Sequence, residues 1–214
     1  MQRDLTARLG TLGATLVRFL FGFPFALLFL AALLAVTGDG LPTFNSAFVL
    51  WTLLGASTQI GATALMLKTM EQRSFVVTVA YLKTEPLLVA LMGLAVLGDP
   101  LTIAMALAIL LAMAGVMLIS VKPQALAGGP ASLFQAPALL GLSSAALFAA
   151  SAIGYRGAIL ALHQDSFVLA ATFTLAVGLT MQTGLLLAWL LAFRRQTLFA
   201  IARLWKPSLL AGFT

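Results

Sequence analysis

Residues 75–97 read FVVTVAYLKTEPLLVALMGLAVL, a run of 23 in which Lys83, Glu85 and Pro86 interrupt an otherwise mostly apolar stretch. At a rise of ~1.5 Å per residue such a helix is ~35 Å long, enough to cross a hydrocarbon layer of ~30 Å. The rest of the chain supports the same reading, since 62% of its 214 residues are apolar and only 8% are charged, with a mean hydropathy of +1.09. Soluble domains are nearer a quarter charged. A water-soluble fold is therefore excluded, and the expected class is an all-α membrane protein, a polytopic helical bundle.

Working outward from 75–97, five further apolar runs are bounded by polar or helix-breaking residues: Leu16–Val36, Ala47–Met66, Leu101–Val121, Pro137–Leu162 and Phe167–Phe193. The first follows a basic stretch, as a secretory signal would. Its uninterrupted apolar part exceeds the ~7 to 15 residues of a signal core, and five spans follow it, so it reads as a retained span. The stretch 122–136, with Lys122-Pro123 and Gly128-Gly129-Pro130, is the longest interruption and reads as a linker between two halves. The final eight residues, from Pro207, are too few to cross.

The chain has no Cys and one His, His163. Disulfides, thiol chemistry and a clustered metal site are excluded on composition, and no cofactor is expected. The formal charge of +6 does not point to nucleic acid, because the basic residues sit in short segments between spans. Arg3, Arg8 and Arg18, then Lys68 and Arg73, then Lys122, then Arg194, Arg195, Arg203 and Lys206 all fall on one side. The loops of the other side hold Asp39, Asp99, His163 and Asp165 and no Lys or Arg. Cytoplasmic loops are the basic ones, so the first side is expected inside, and both the amino-terminal segment and Arg194–Lys206 are placed there.

Polar residues inside the spans are the candidates for function. A charge at mid-bilayer costs on the order of 3 kcal/mol, so it is seldom kept without a partner or a use. Glu85 lies near the middle of its span, and at helical spacing Thr78, Tyr81, Glu85 and Met92 share a face, while Lys83 points away with Ala80 and Leu87. Pro86 has no amide hydrogen and frees the carbonyl of Leu82, which predicts a kink beside Glu85. A carboxylate beside an interrupted helix suits a carrier's binding site; an ion pair between helices is the competing reading, with Lys83 snorkelling inward. Companions on other spans are Gln59 with Thr52, Gly55 and Thr63, Tyr155 with Ser144 and Ser151, Arg156 beside Tyr155, and Gln182 one turn from Gly178. Hydrogen bonding between helices competes with substrate contact for each of them. Arg18 opens the first span, either as an interfacial anchor or at the mouth of a pathway. Small-residue stripes, Ala104-Ala108-Ala112 and Ala146-Ala150-Gly154-Ala158, predict tight helix packing. His163 and Asp165 read as a solvated loop.

The segment Pro86–Thr102, PLLVALMGLAVLGDPLT, followed by an apolar helix ending Ala114-Gly115-Val116-Met117-Leu118-Ile119, resembles the end of an EamA-type repeat of the drug/metabolite transporter superfamily. The run Gly141–Ala161, with AASAIGYRGA at 149–158, resembles the opening of a second repeat. The resemblance implies two inverted repeats, here both incomplete: 1–121 as a first repeat of four helices lacking its first, 122–136 as linker, and 137–214 as two helices and a truncated third. On this reading the chain is a fragment of a ten-helix carrier. Asp99 stands where the family usually has Glu and is expected to cap the helix starting at Leu101-Thr102. Lys83 and Glu85 are outside the family pattern, so their candidacy rests on burial cost.

The expected function is gradient-driven, alternating-access transport of a small metabolite or drug, with no enzymatic activity. Glu85, Lys83, Tyr81, Gln59, Tyr155, Arg156, Gln182 and Arg18 are the expected substrate-binding residues, Glu85 taking up a proton or pairing a substrate cation. Expected partners are the lipid bilayer of a bacterial inner membrane, the substrate, a proton or sodium ion, and, compatibly, a second copy in a homodimer. The rivals are a non-transporting assembly subunit and, against the scattered carboxylates and lone His, a membrane enzyme acting on lipid-linked substrates.

Overall fold

The computed structural model describes residues 2–72, 75–100, 102–120 and 136–203. Arg73, Leu101, Val121, the linker residues 122–135 and the terminal segment from 204, with Lys206, lie outside them. All described elements are helical: α1 (Gln2–Thr37), α2 (Ser46–Gln72), α3 (Phe75–Leu82), α4 (Glu85–Met92) running into a π turn (Gly93–Leu97), α5 (Ile103–Ser120), α6 (Ala136–Ala161), α7 (Phe167–Phe193) and α8 (Arg195–Arg203). A helix satisfies its own backbone groups, which hydrocarbon cannot do.

Among the described residues five helical segments are long and apolar enough to cross a membrane: Gly10–Thr37, Ser46–Gln72, Thr78–Leu97, Ala138–Ala161 and Phe167–Phe193; Ile103–Gly115 is a shorter apolar helix. Their outward residues include large apolar side chains, among them Leu28 (66% exposed), Leu50 (67%) and Leu111 (73%). Such a surface is suited to lipid. The chain is a polytopic helical membrane protein.

The helices divide between two compact units, one of Met1–Ile60 with Gly154–Thr214 and one of Gly61–Ile153. In the first unit α1 breaks at Gly10, whose φ of 71° suits a residue without Cβ. Its core joins Ala26 and Leu30 of α1, Phe48 of α2, Ala158 of α6, and Leu169, Ala170, Phe173 and Ala176 of α7, with Leu162 just beyond α6. Phe48 and Phe173 stack at 5.6 Å. Asn45 ties two helix ends together: its Oδ1 accepts from Phe48 N at 2.8 Å, capping α2, and its Nδ2 donates to Ala161 O at 2.9 Å, at the end of α6. Ser166 Oγ caps α7 through Leu169 N at 3.3 Å.

In the second unit the stretch 75–97 is two helices and a π turn, rather than one kinked helix. Lys83 N donates to Val79 O, but Thr84 N reaches only to Tyr81 O, both at 3.1 Å, so the ladder tightens and stops. The Thr84 hydroxyl donates to the same Tyr81 carbonyl at 2.8 Å. Pro86, near the start of α4, supplies no hydrogen to Leu82 O, which explains a break one turn before it. The π turn ends on Gly98 at φ 70°. Ser144 of α6 donates to Ala62 O of α2 at 2.7 Å.

Two local expectations change. Thr102 Oγ1 accepts from Met105 N at 3.2 Å and takes the cap assigned to Asp99; the Asp99 carboxylate instead lies against Gly93. Ala104, Ala108 and Ala112 are exposed on α5 and make no buried stripe, whereas Gly154 and Ala158 on α6 are buried as expected.

Candidate functional site

Within the first unit, Gln59 of α2, Tyr155 of α6 and Gln182 of α7 converge. The Gln182 amide nitrogen donates to Gln59 Oε1 at 2.6 Å and to the Tyr155 hydroxyl oxygen at 2.9 Å. Gln182 is 1% exposed, while Gln59 and Tyr155 are half-buried. A buried amide needs partners, and here two helices supply them.

Glycines let the ring of Tyr155 sit between α2 and α7. A Cβ on Gly178 would come within 2.8 Å of Tyr155 Cε1, and one on Gly55 within 3.1 Å of Cδ1. The ring thus lies close against the backbone of both helices at these glycines. Beside it α6 and α2 approach closely, because a Cβ on Gly154 would lie 2.7 Å from Gly55 N. Small residues permit that approach, and the approach fixes how far Tyr155 reaches.

The trio keeps unused hydrogen-bonding capacity. Neither of these two bonds uses Gln59 Nε2, Gln182 Oε1 or the Tyr155 hydroxyl hydrogen. Two donors and an acceptor are therefore offered by uncharged groups, an arrangement that can hold a polar small molecule without a metal or nucleophile.

Other predicted residues fall elsewhere. Tyr81, Lys83 and Glu85 belong to the second unit. The Tyr81 ring packs on α6, where a Cβ on Gly141 would meet it at 2.6 Å. Lys83 is exposed at the helix break, and Glu85 is half-buried as the first residue of α4, about 4 Å along the axis from the middle of Thr78–Leu97. Neither forms an ion pair among the described residues. Arg156 is exposed beside Tyr155. Arg18 lies half-buried in α1, about 12 Å along the helix from the break at Gly10. His163 and Asp165 are exposed in their loop.

Sequence reasoning missed Thr183, whose hydroxyl is buried without a hydrogen-bond partner among the described residues, as is that of Thr63 in the second unit. A Thr in an apolar helix ordinarily returns its hydroxyl to the preceding turn, as Thr174 and Thr180 do at 2.7 Å. No sequence signal separates Thr183 from them.

No curated protein and no solved structure matches the chain. A family model described as the EamA-like transporter family matches residues 1–121, more than half of the chain. With its multi-pass helical fold, the chain belongs to the EamA-like transporter family.

Proposed function

We propose that this chain is the substrate-handling part of a gradient-driven carrier of small polar metabolites or drugs, working by alternating access in a bacterial inner membrane with its basic loops in the cytoplasm. The observation that carries the reading is the Gln59–Tyr155–Gln182 trio, buried in a span yet holding hydrogen-bonding groups in reserve. Gln182 orients the other two, and Gln59 and Tyr155 contact substrate. Glu85, near mid-span beside a broken helix, takes up the coupling proton.

The test is transport into vesicles carrying the complete protein, wild type against Gln182→Leu and Glu85→Gln, with insertion checked by protease protection. Removing one useful hydrogen bond is worth roughly tenfold in rate, so Gln182→Leu is expected to slow transport by at least that factor. Glu85→Gln is expected to leave insertion intact and abolish or uncouple transport. Unchanged transport in both, at normal expression, overturns the proposal and returns the trio to the role of interhelical glue.

A further inference from the structure

The first unit carries, on an apolar helix, a half-buried cation for which the trio has no use. Arg18 is half-buried within Gly10–Thr37, between fully buried Val17 and nearly buried Phe19. Among the described residues its guanidinium has no hydrogen bond or ion pair. The carboxylates of the unit, Asp4, Asp39 and Asp165, all lie outside its spans Gly10–Thr37 and Phe167–Phe193. A guanidinium at this depth is costly unless something anionic meets it.

Its level can be placed from the core. Ala26 and Leu30, in the second half of α1, share a cluster with Leu169, Phe173 and Ala176 in the first half of α7, so the two helices run antiparallel. Counting away from the cluster, Arg18 lies about 12 Å beyond Ala26 and Gln182 about 9 Å beyond Ala176, in the same direction. Arg18 and the trio therefore occupy one layer of the unit. Thr183, with its buried unpartnered hydroxyl, belongs to that layer too, two turns past Ala176 on the same face of α7.

We infer that the substrate of this layer is a small organic anion, its carboxylate or phosphate group held by Arg18 and its polar body hydrogen-bonded by Gln59, Tyr155 and Gln182. The inference rests on the trio being the substrate site. Thr183 supplies a hydroxyl for an anionic oxygen, and no acidic side chain belongs to the unit's described spans. A lipid phosphate offers the same chemistry, which the experiment separates.

The experiment is thermal unfolding, followed by tryptophan fluorescence, of the complete protein in phosphatidylcholine nanodiscs. The probes are sodium succinate, sodium glycerol 3-phosphate, methyl glucoside and tetraethylammonium chloride at matched ionic strength. Succinate or glycerol 3-phosphate is expected to raise the wild-type Tm by roughly 3 °C or more at saturation. Arg18→Gln is expected to abolish the rise, Arg18→Lys to retain part of it, and Gln182→Leu to weaken it; the unliganded Tm of each variant shows that it is folded. An anion response that survives Arg18→Gln, or none in wild type, overturns the inference. A response to phosphatidylglycerol nanodiscs without one to the soluble anions also overturns it, assigning Arg18 to a lipid headgroup. If methyl glucoside or tetraethylammonium shifts wild type and Gln182→Leu removes that shift, the anion class fails while the trio stands. If the anion response needs Arg18 but is untouched in Gln182→Leu, the trio fails as the substrate site and the anion site at Arg18 stands.

Discussion

Gly154 shows how much one hydrogen atom decides at the scale of a residue. Its missing Cβ would lie 2.7 Å from Gly55 N and 2.8 Å from Gly55 Cα, both backbone atoms that cannot rotate away. Gly154→Ala is therefore expected to destabilise the protein by about 1–3 kcal/mol, the usual cost of overpacking. It also displaces Tyr155, the next residue. Gly184, with nothing within 4 Å, is the control: Gly184→Ala should be neutral or stabilising by about 0.5–1 kcal/mol, because alanine restricts the helical backbone less expensively than glycine. Urea-dependent unfolding in mixed micelles measures both, and equal effects at the two sites would show that the α2–α6 approach is not tight. Tyr155 and Gln182 stand out in the sequence as polar residues in apolar runs. That they bond to each other at 2.9 Å does not, since the rotation of each helix about its axis decides it.

Among elements, the break between α3 and α4 is the one that the sequence announces most clearly, through Pro86. Pro86→Ala restores an amide hydrogen for Leu82 O, and is expected to join α3 and α4, slow amide exchange across 82–88, and lower transport while raising Tm. Faster exchange there would mean that the break is imposed by packing and not by the missing hydrogen. The cap of α2 is a second case. Asn45 serves α2 and α6 at once, so Asn45→Ala should cost about 1–2 kcal/mol, at the upper end for a cap. An Asn before an apolar run is a readable cap signal; its second bond, to a carbonyl 116 residues away, is not. The α5 stripe teaches the converse. Small residues at four-residue spacing permit close approach, but Ala104, Ala108 and Ala112 are exposed.

For the whole molecule the testable quantity is sidedness. Because Asn45 bonds Ala161 O, the loops after α1 and α6 lie at one end of the first unit. The absence of Cys makes a single-cysteine map straightforward. Asp39→Cys and Asp165→Cys should react with a membrane-impermeant maleimide from outside intact cells, and Gln196→Cys only after the membrane is opened. Labelling of all three from one side would contradict the multi-pass topology, and a clean inversion would overturn the orientation read from the basic loops.

The sequence by itself determined the spans, their loops, the interruption at Lys83–Pro86 and the family resemblance. Transfer into hydrocarbon is nearly additive along a segment, and a proline acts on the carbonyl four residues before it, so both are local properties. Only the tertiary structure decided that Gln182 bonds residues 123 and 27 positions away, that Arg18 is half-buried, and that the Thr183 hydroxyl is buried without a partner among the described residues. Those outcomes depend on helix rotation, depth and crossing. These are set by where backbones touch, as at Gly55 and Gly154, and hydropathy is blind to such contacts.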